Sequence, residues 1–164
     1  MVLSLSLIDS YQQMYTIATD APRGKLVSQY INPIKVCGTF KEVSRENKGN
    51  GVFVSDMGAN FAGWVRIKVK GERGAAVTMK FGERLDDNGF VNQLNLRSAR
   101  CSDKYILRGD GIEEFAPRFT YHGFQYVEFV IEGNAELLEV VGEHVHSSCE
   151  VVGSFKCSDE TLNK

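Results

Sequence analysis

Apolar and polar residues alternate with a period of two along much of this chain. Trp64 to Lys70 is the clearest stretch: Val65, Ile67 and Val69 point one way, and Arg66, Lys68 and Lys70 the other. A strand sets successive side chains on opposite faces, whereas helical spacing would scatter these residues around a cylinder. The same reading predicts a strand over Ala76 to Phe81, with Val77, Met79 and Phe81 on one face. It predicts shorter strands over Lys104 to Leu107 and Arg118 to Tyr121, and a further strand over Leu137 to His146 that could begin with a bend at Leu137-Leu138. Phe124 to Ile131 is rich in aromatic and β-branched residues and reads as a strand buried on both faces.

Glycine-bearing turns separate these runs: Lys48 to Gly51, Gly71 to Gly74, Asp87 to Gly89, Gly109 to Gly111 and Glu132 to Asn134. Glycine and asparagine tolerate the positive φ that hairpin turns demand. No long amphipathic helix interrupts them. Short strands with turns between them imply an all-β fold, an antiparallel β-sandwich of the jelly-roll kind. The sandwich is placed over residues 25–152. Residues 1–24 pattern weakly, end in a turn at Asp20 to Gly24, and read as an extension or the tail of a preceding domain. Residues 153–164 read as a linker. Within it, Ser158 is placed to cap a helix with Asp159 and Glu160 in its first turn, a helix start cut short before a following domain.

Composition narrows the function classes. At 164 residues the chain suits one domain with a substantial core. The formal net charge is -2 and no basic stripe occurs, which leaves no electrostatic case for nucleic acid. No apolar run has membrane-spanning length, and Met1 to Ile8 lacks the features of a signal peptide. Cys37, Cys101, Cys149 and Cys157 form no C-x-x-C pair; they read as buried small hydrophobes, with one disulfide as the alternative.

Several segments offer chemistry, each beside a plainer reading. Glu83, Asp86 and Asp87 form a carboxylate cluster of the sort glycosidases use, but Asp86-Asp87-Asn88-Gly89 is first a turn sequence. Its D-x-N-G fragment lacks the later ligands of a calcium loop. His144 and His146 share a strand face without completing a zinc set, so no metal and no cofactor is assigned. Gly58 to Gly63 is glycine-rich, yet a strand follows it rather than the helix that phosphate binding needs, and a tight bend between strands is preferred. Trp64 is the only tryptophan, either a core residue or a sugar-stacking platform. Asn95 to Arg100 is an arginine-rich loop. Arg97 and Arg100 either pin it to the sandwich through carboxylates such as Glu83 or present a docking surface.

Five of these segments, in order, resemble bacterial α-L-rhamnosidases. Asp56-Met57-Gly58-Ala59-Asn60-Phe61-Ala62-Gly63-Trp64-Val65 resembles that family's D-x-G-Q-N-x-x-G-W-V segment. Asn95-Leu96-Arg97-Ser98-Ala99-Arg100 and Asp103-Lys104-Tyr105-Ile106-Leu107 resemble its N-L-R-S-A-R and D-x-Y-I-L runs. Pro117 to Glu128 resembles P-R-F-T-Y-H-G-F-R-Y-V-E, and Gly153 to Asp159 resembles the G-S-F-x-C-S-D that leads into the catalytic domain. Glu83 sits where the family has a glutamate before a hairpin. Ala59 replaces a glutamine and Gln125 an arginine, which weakens polar contacts at those two positions.

The resemblance implies a concanavalin-like sandwich preceding an (α/α) six-hairpin barrel that hydrolyses terminal α-L-rhamnose with inversion. It also implies that this chain lacks that barrel and is an accessory module packed against it in the same polypeptide. A carbohydrate-binding module for rhamnose-containing glycans is the second reading and a free-standing hydrolase the third. Trp64, Glu83, Asn95, Arg97, Arg100, Tyr121 and His122 are the candidate interdomain or sugar contacts. Neither nucleic acid nor membrane is expected as a partner, and the isolated domain is expected to expose an apolar patch through which it can dimerise. The compartment, bacterial cytoplasm or periplasm and cell surface, is left open.

Overall fold

The computed structural model describes residues 24–25 and 27–163, and by backbone alone the strands β1 (Leu7–Asp9) and β2 (Gln12–Met14). Contacts divide the chain into two units, 1–31 and 32–164. In the first, β1 and β2 pair antiparallel. The turn expected at Asp20 to Gly24 lies outside the described residues except for Gly24.

The second unit is built from antiparallel strands. They are β3 (Ile34–Lys41), β4 (Ser44–Gly49), β5 (Val52–Gly71), β6 (Ala76–Gly82), β7 (Ser102–Ile106), β8 (Ile112–Phe115), β9 (His122–Glu132) and β10 (Ala135–Ser147). The main path of hydrogen-bonded neighbours runs β3-β10-β5-β9-β6-β7, and β4 and β8 also pair with β5.

β5 is what makes a sandwich of this sheet. Its first part, Val52 to Asp56, lies between β4 and β9. Its last part, Gly63 to Gly71, pairs with β10, and Ile67 to Lys70 also pair with β8. One strand therefore belongs to two sets of partners, and the sheet curls around it. The Gly58 to Gly63 segment is thus not a bend between two strands: Val52–Val54 and Trp64–Lys70 are parts of the same one. Its glycines instead accommodate a break in register opposite β9, between Asp56 and Phe61. Gly58 takes φ 76° there, and its N–H bonds the Asp56 carboxylate at 2.7 Å.

The alternation read from the sequence is realised in the core. Val65, Ile67 and Val69 from β5, Val77, Met79 and Phe81 from β6, and Phe124, Val127 and Phe129 from β9 are all fully buried in one cluster with Leu137 and Val140 of β10. Each large side chain buried this way stabilises the fold by about 1.5–3 kcal/mol. In β9, Glu128 is buried as well, so the middle of that strand is covered on both faces. The irregularity anticipated at Leu137-Leu138 is a β-bulge: the register against β5 shifts between Leu137 and Glu139, and Leu138 turns outward.

Three local expectations are corrected. Arg118 to Tyr121 is not a strand, because Phe119 adopts φ 62°, a left-handed conformation that no ladder accommodates. Near the C-terminus, 160–163 forms a turn, and its cap is Asp159 rather than Ser158. The Asp159 carboxylate accepts from Thr161 N at 2.8 Å and Leu162 N at 3.4 Å. The cysteines are not all buried hydrophobes: Cys37 and Cys149 are exposed, Cys157 is half-buried, Cys101 is half-buried against the core, and all four are free thiols. Sequence periodicity also missed β3, β4 and β8, whose outward polar residues sit on short or edge strands.

Candidate functional site

Most of the chemistry-bearing residues meet where β9 begins. Gly63 of β5 pairs with His122 of β9 and also with His144 of β10, so a glycine sits at the junction of three strands. A Cβ at Gly63 would overlap the Glu143 carbonyl, which is why the strands can close here. Trp64 on one side and Tyr121 on the other flank this junction in sequence.

Trp64 alternates with the buried Val65 and so faces outward, half-buried. Its indole Nε1–H donates to Glu143 Oε2 at 2.6 Å, and Arg66 Nε donates to Glu143 Oε1 at 2.7 Å. The Arg66 guanidinium also reaches Glu114 at 3.3 Å. Next to the indole opens a cleft of about 720 Å³, lined chiefly by Ile34, Trp64, Phe119, Tyr121, Val145 and His146. Phe119 is fully exposed, at 105%, while held at positive φ, and Tyr121 is 65% exposed. A bulky aromatic held in that conformation costs about 1–3 kcal/mol, and such strain gathers at functional positions. Among the described residues, no carboxylate lines this cleft. It offers aromatic and aliphatic surface, suited to stacking and apolar contact.

A smaller, more polar hollow of about 370 Å³ lies by the end of β6, lined by Glu83, Arg84, Asn92, Leu94 and Asn95. Glu83 Oε1 accepts from Asn60 Nδ2 at 3.0 Å. Gln93 helps to hold the 92–101 loop: its Nε2 donates to the Phe81 carbonyl at 2.9 Å and the Cys101 carbonyl at 2.8 Å. Within it, 94–96 forms one 3₁₀ turn, and Arg97 leaves that turn at φ 54°. Arg97 lines a separate shallow depression with Asp86 and Leu94. Arg97 and Arg100 are both exposed. The Asp86–Gly89 turn closes on itself, with Asp86 Oδ1 accepting from Asn88 N and Phe90 N, both at 2.9 Å.

His122 faces inward. It is 8% exposed and stacks on Phe81 at 4.2 Å between ring centroids. Its Nε2 lies 2.9 Å from Asp103 Oδ2 and its Nδ1 lies 3.3 Å from the Cys101 sulfur. Burial alone pulls the imidazole pKa down; the bond to Asp103 and the sulfur contact outweigh it and raise the value to about 9. His144 and His146 have rings 5.3 Å apart, but among the described residues no three His, Cys, Asp or Glu side chains gather to hold a metal ion.

The fold therefore brings Trp64 and Tyr121 to one cleft and Glu83 and Asn95 to another, and turns His122 inward onto Phe81 and Asp103. It leaves Arg97 and Arg100 on the neighbouring loop. Sequence reasoning missed Gln93, Cys101, Glu143 and Phe119. Phe119 and Asp103 lay inside recognised runs, Pro117 to Glu128 and the D-x-Y-I-L segment, but neither was given a role there. Of the two departures from that family's pattern, Gln125 still donates to Asp56 Oδ1, at 3.1 Å.

A curled antiparallel sandwich with an aromatic-rimmed cleft defines a β-sandwich domain. Comparison with known proteins specifies which kind. Residues 46–146 match the bacterial α-L-rhamnosidase concanavalin-like domain, and the chain belongs to that family. It is 36% identical over 146 residues to an α-L-rhamnosidase of Streptomyces avermitilis, a match spanning 88% of this chain and 14% of that protein. An α-L-rhamnosidase of Formosa agariphila is 32% identical, over 88% of this chain and 16% of its own length. Among solved structures, the α-L-rhamnosidase from Dictyoglumus thermophilum superposes with a TM-score of 0.76 at 39% identity, over 85% of this chain and 16% of that one. The Streptomyces avermitilis enzyme complexed with L-rhamnose gives 0.74 at 35% identity, over 84% and 14%. The chain thus spans about one-seventh of the enzymes it matches.

Proposed function

We propose that this domain is a non-catalytic accessory module of an α-L-rhamnosidase, packed against an (α/α) catalytic barrel in the same polypeptide that hydrolyses terminal α-L-rhamnose. The observation that carries this reading is coverage: the relatives named for the activity are matched over only 14–16% of their length. The chemistry of the large cleft agrees with it. A glycosidase needs two carboxylates across the sugar, and the lining beside Trp64 supplies aromatic and aliphatic groups. Phe119, Tyr121 and Ile34 form an apolar rim suited to a neighbouring domain, and Arg97 and Arg100 extend the contact region along the 92–101 loop. Exposed in the isolated domain, the same rim is a surface for self-association.

The decisive assay is hydrolysis of an aryl α-L-rhamnoside by the 164-residue chain. No rate above buffer is expected, and turnover abolished by substituting Glu83 would overturn the reading. The aromatic rim favours one other function, direct binding of rhamnose-containing glycans. Trp64 is the only tryptophan and lines the cleft, so its fluorescence reports occupancy. A flat titration with L-rhamnose leaves the cleft to protein contact; saturation in the millimolar range or tighter transfers it to sugar.

A further inference from the structure

Near the start of β9 a thiol, an imidazole and a carboxylate lie in series within hydrogen-bond reach. Cys101 ends the loop that runs through Arg97 to Arg100, a run exposed along its whole length, and is itself half-buried. Its sulfur lies 3.3 Å from His122 Nδ1, and the other ring nitrogen of His122 lies 2.9 Å from Asp103 Oδ2. A thiol within hydrogen-bond reach of an imidazole, with the imidazole oriented by a carboxylate, is the arrangement that activates a cysteine nucleophile. All three residues are held against β6. Asp103 sits on β7, paired with Met79 of β6. The His122 ring is clamped on Phe81, and the Cys101 carbonyl is tied to Phe81 N and Gln93 Nε2.

We propose that Cys101 is a reactive thiolate, paired with a His122 imidazolium, and a site for mixed-disulfide formation with low-molecular-weight disulfides. In the step, the Cys101 sulfur attacks one sulfur of the disulfide. A new S–S bond forms as the old one breaks, and the departing thiolate takes up the proton that Cys101 gave to His122. The net change is one protein thiol and one disulfide converted to one protein mixed disulfide and one small thiol.

The charged surroundings support this assignment. His122 stays protonated to about pH 9, so a cation faces the sulfur across the neutral range. Asp103 is the anion on its far side. Glu83 follows the end of β6 and its carboxylate lies beside Gly123, and Arg100 adjoins Cys101 in sequence. β5 meets His122 with Gly63, which brings no further charge. The other thiols lack an imidazole. Cys37 donates to the Lys35 carbonyl at 3.3 Å, Cys157 to the Asp159 carbonyl at 3.5 Å, and Cys149 is simply exposed.

The test is alkylation by iodoacetamide between pH 6 and pH 8, with each cysteine quantified by peptide mass spectrometry. A solvated thiol is expected to slow roughly 50–100-fold on going from pH 8 to pH 6. Cys101 is expected to slow less than about 5-fold and to outpace Cys149 at pH 6. Incubation with oxidised glutathione at pH 6.5 is expected to label Cys101 first. Substituting Asp103→Asn changes little in shape, and it is expected to steepen the Cys101 profile. A Cys101 that follows the Cys149 profile in the unmodified chain, or that fails to react while Cys149 does, overturns the proposal whether or not the variant folds. A D103N profile identical to that of the unmodified chain removes Asp103 from it.

Discussion

Trp64 and Glu143 stand opposite one another in the β5–β10 ladder and are joined through their side chains, the indole N–H resting on the carboxylate at 2.6 Å. The same carboxylate takes Arg66 at 2.7 Å, so one acidic residue positions the tryptophan of the cleft and the arginine two residues on. Substituting Glu143→Gln keeps the shape and removes the charge. It is expected to lower stability by about 1–2 kcal/mol. Urea unfolding followed by Trp64 fluorescence measures this, and an altered native emission is expected because the indole loses its charged acceptor.

Gly63 holds the strand junction closed. Gly63→Ala sets a methyl group into the Glu143 carbonyl and is expected to destabilise by about 3 kcal/mol or more. Gly74 has φ 89° but nothing near its missing Cβ. Gly74→Ala therefore meets only backbone strain, about 1–2 kcal/mol. Equal losses in the two variants by chemical denaturation would mean that the close approach of β5 and β10 is not what requires glycine.

The pleat of β5 can be tested at adjacent positions. Ile67 is fully buried, while Lys68 pairs with Glu139 on the outer surface with both side chains over 40% exposed. Ile67→Ala is expected to cost about 2–5 kcal/mol, from lost burial and the cavity left behind. Lys68→Ala is expected to cost no more than about 1 kcal/mol. Midpoints of urea unfolding for the two variants compare them directly.

Two buried charges give stability opposite slopes in pH. Glu113 is 2% exposed and accepts from Arg108 N at 3.0 Å, Tyr105 Oη at 2.7 Å and Gly109 N at 2.9 Å. The Arg108 backbone bond foremost, then the tyrosine hydroxyl, lower its pKa from 4.5 to about 2 despite desolvation. Its stabilising contribution is complete above pH 4.5 and disappears as the pH falls to about 2. The stability gap between the unmodified chain and Glu113→Gln is therefore expected to narrow across that window. His122 runs the other way. Its pKa is raised, so its contribution is complete below pH 6.5 and is lost as the pH rises to about 9. Thermal melts of His122→Gln against the unmodified chain, at pH 6 and pH 9, are expected to differ more at pH 6.

The alternation of Val65, Ile67 and Val69 with Arg66, Lys68 and Lys70 was enough to orient β5, because one face of a pleated strand must leave water and the other need not. The hairpin turns were legible for a related reason: glycine and asparagine mark where the backbone turns left-handed. The recognised runs at Asp56–Val65, Asn95–Arg100 and Pro117–Glu128 identified the family for which residues 46–146 are matched. Tertiary structure alone decided that Val52–Val54 and Trp64–Lys70 form one strand, since continuity through Gly58–Gly63 depends on what pairs alongside. It alone decided that Trp64 lies on Glu143, 79 residues away, and that His122 turns inward to Cys101 and Asp103. A local pattern records how often a side chain faces the core; which polar group it meets there is set by register between distant strands, and register is a property of the whole sheet.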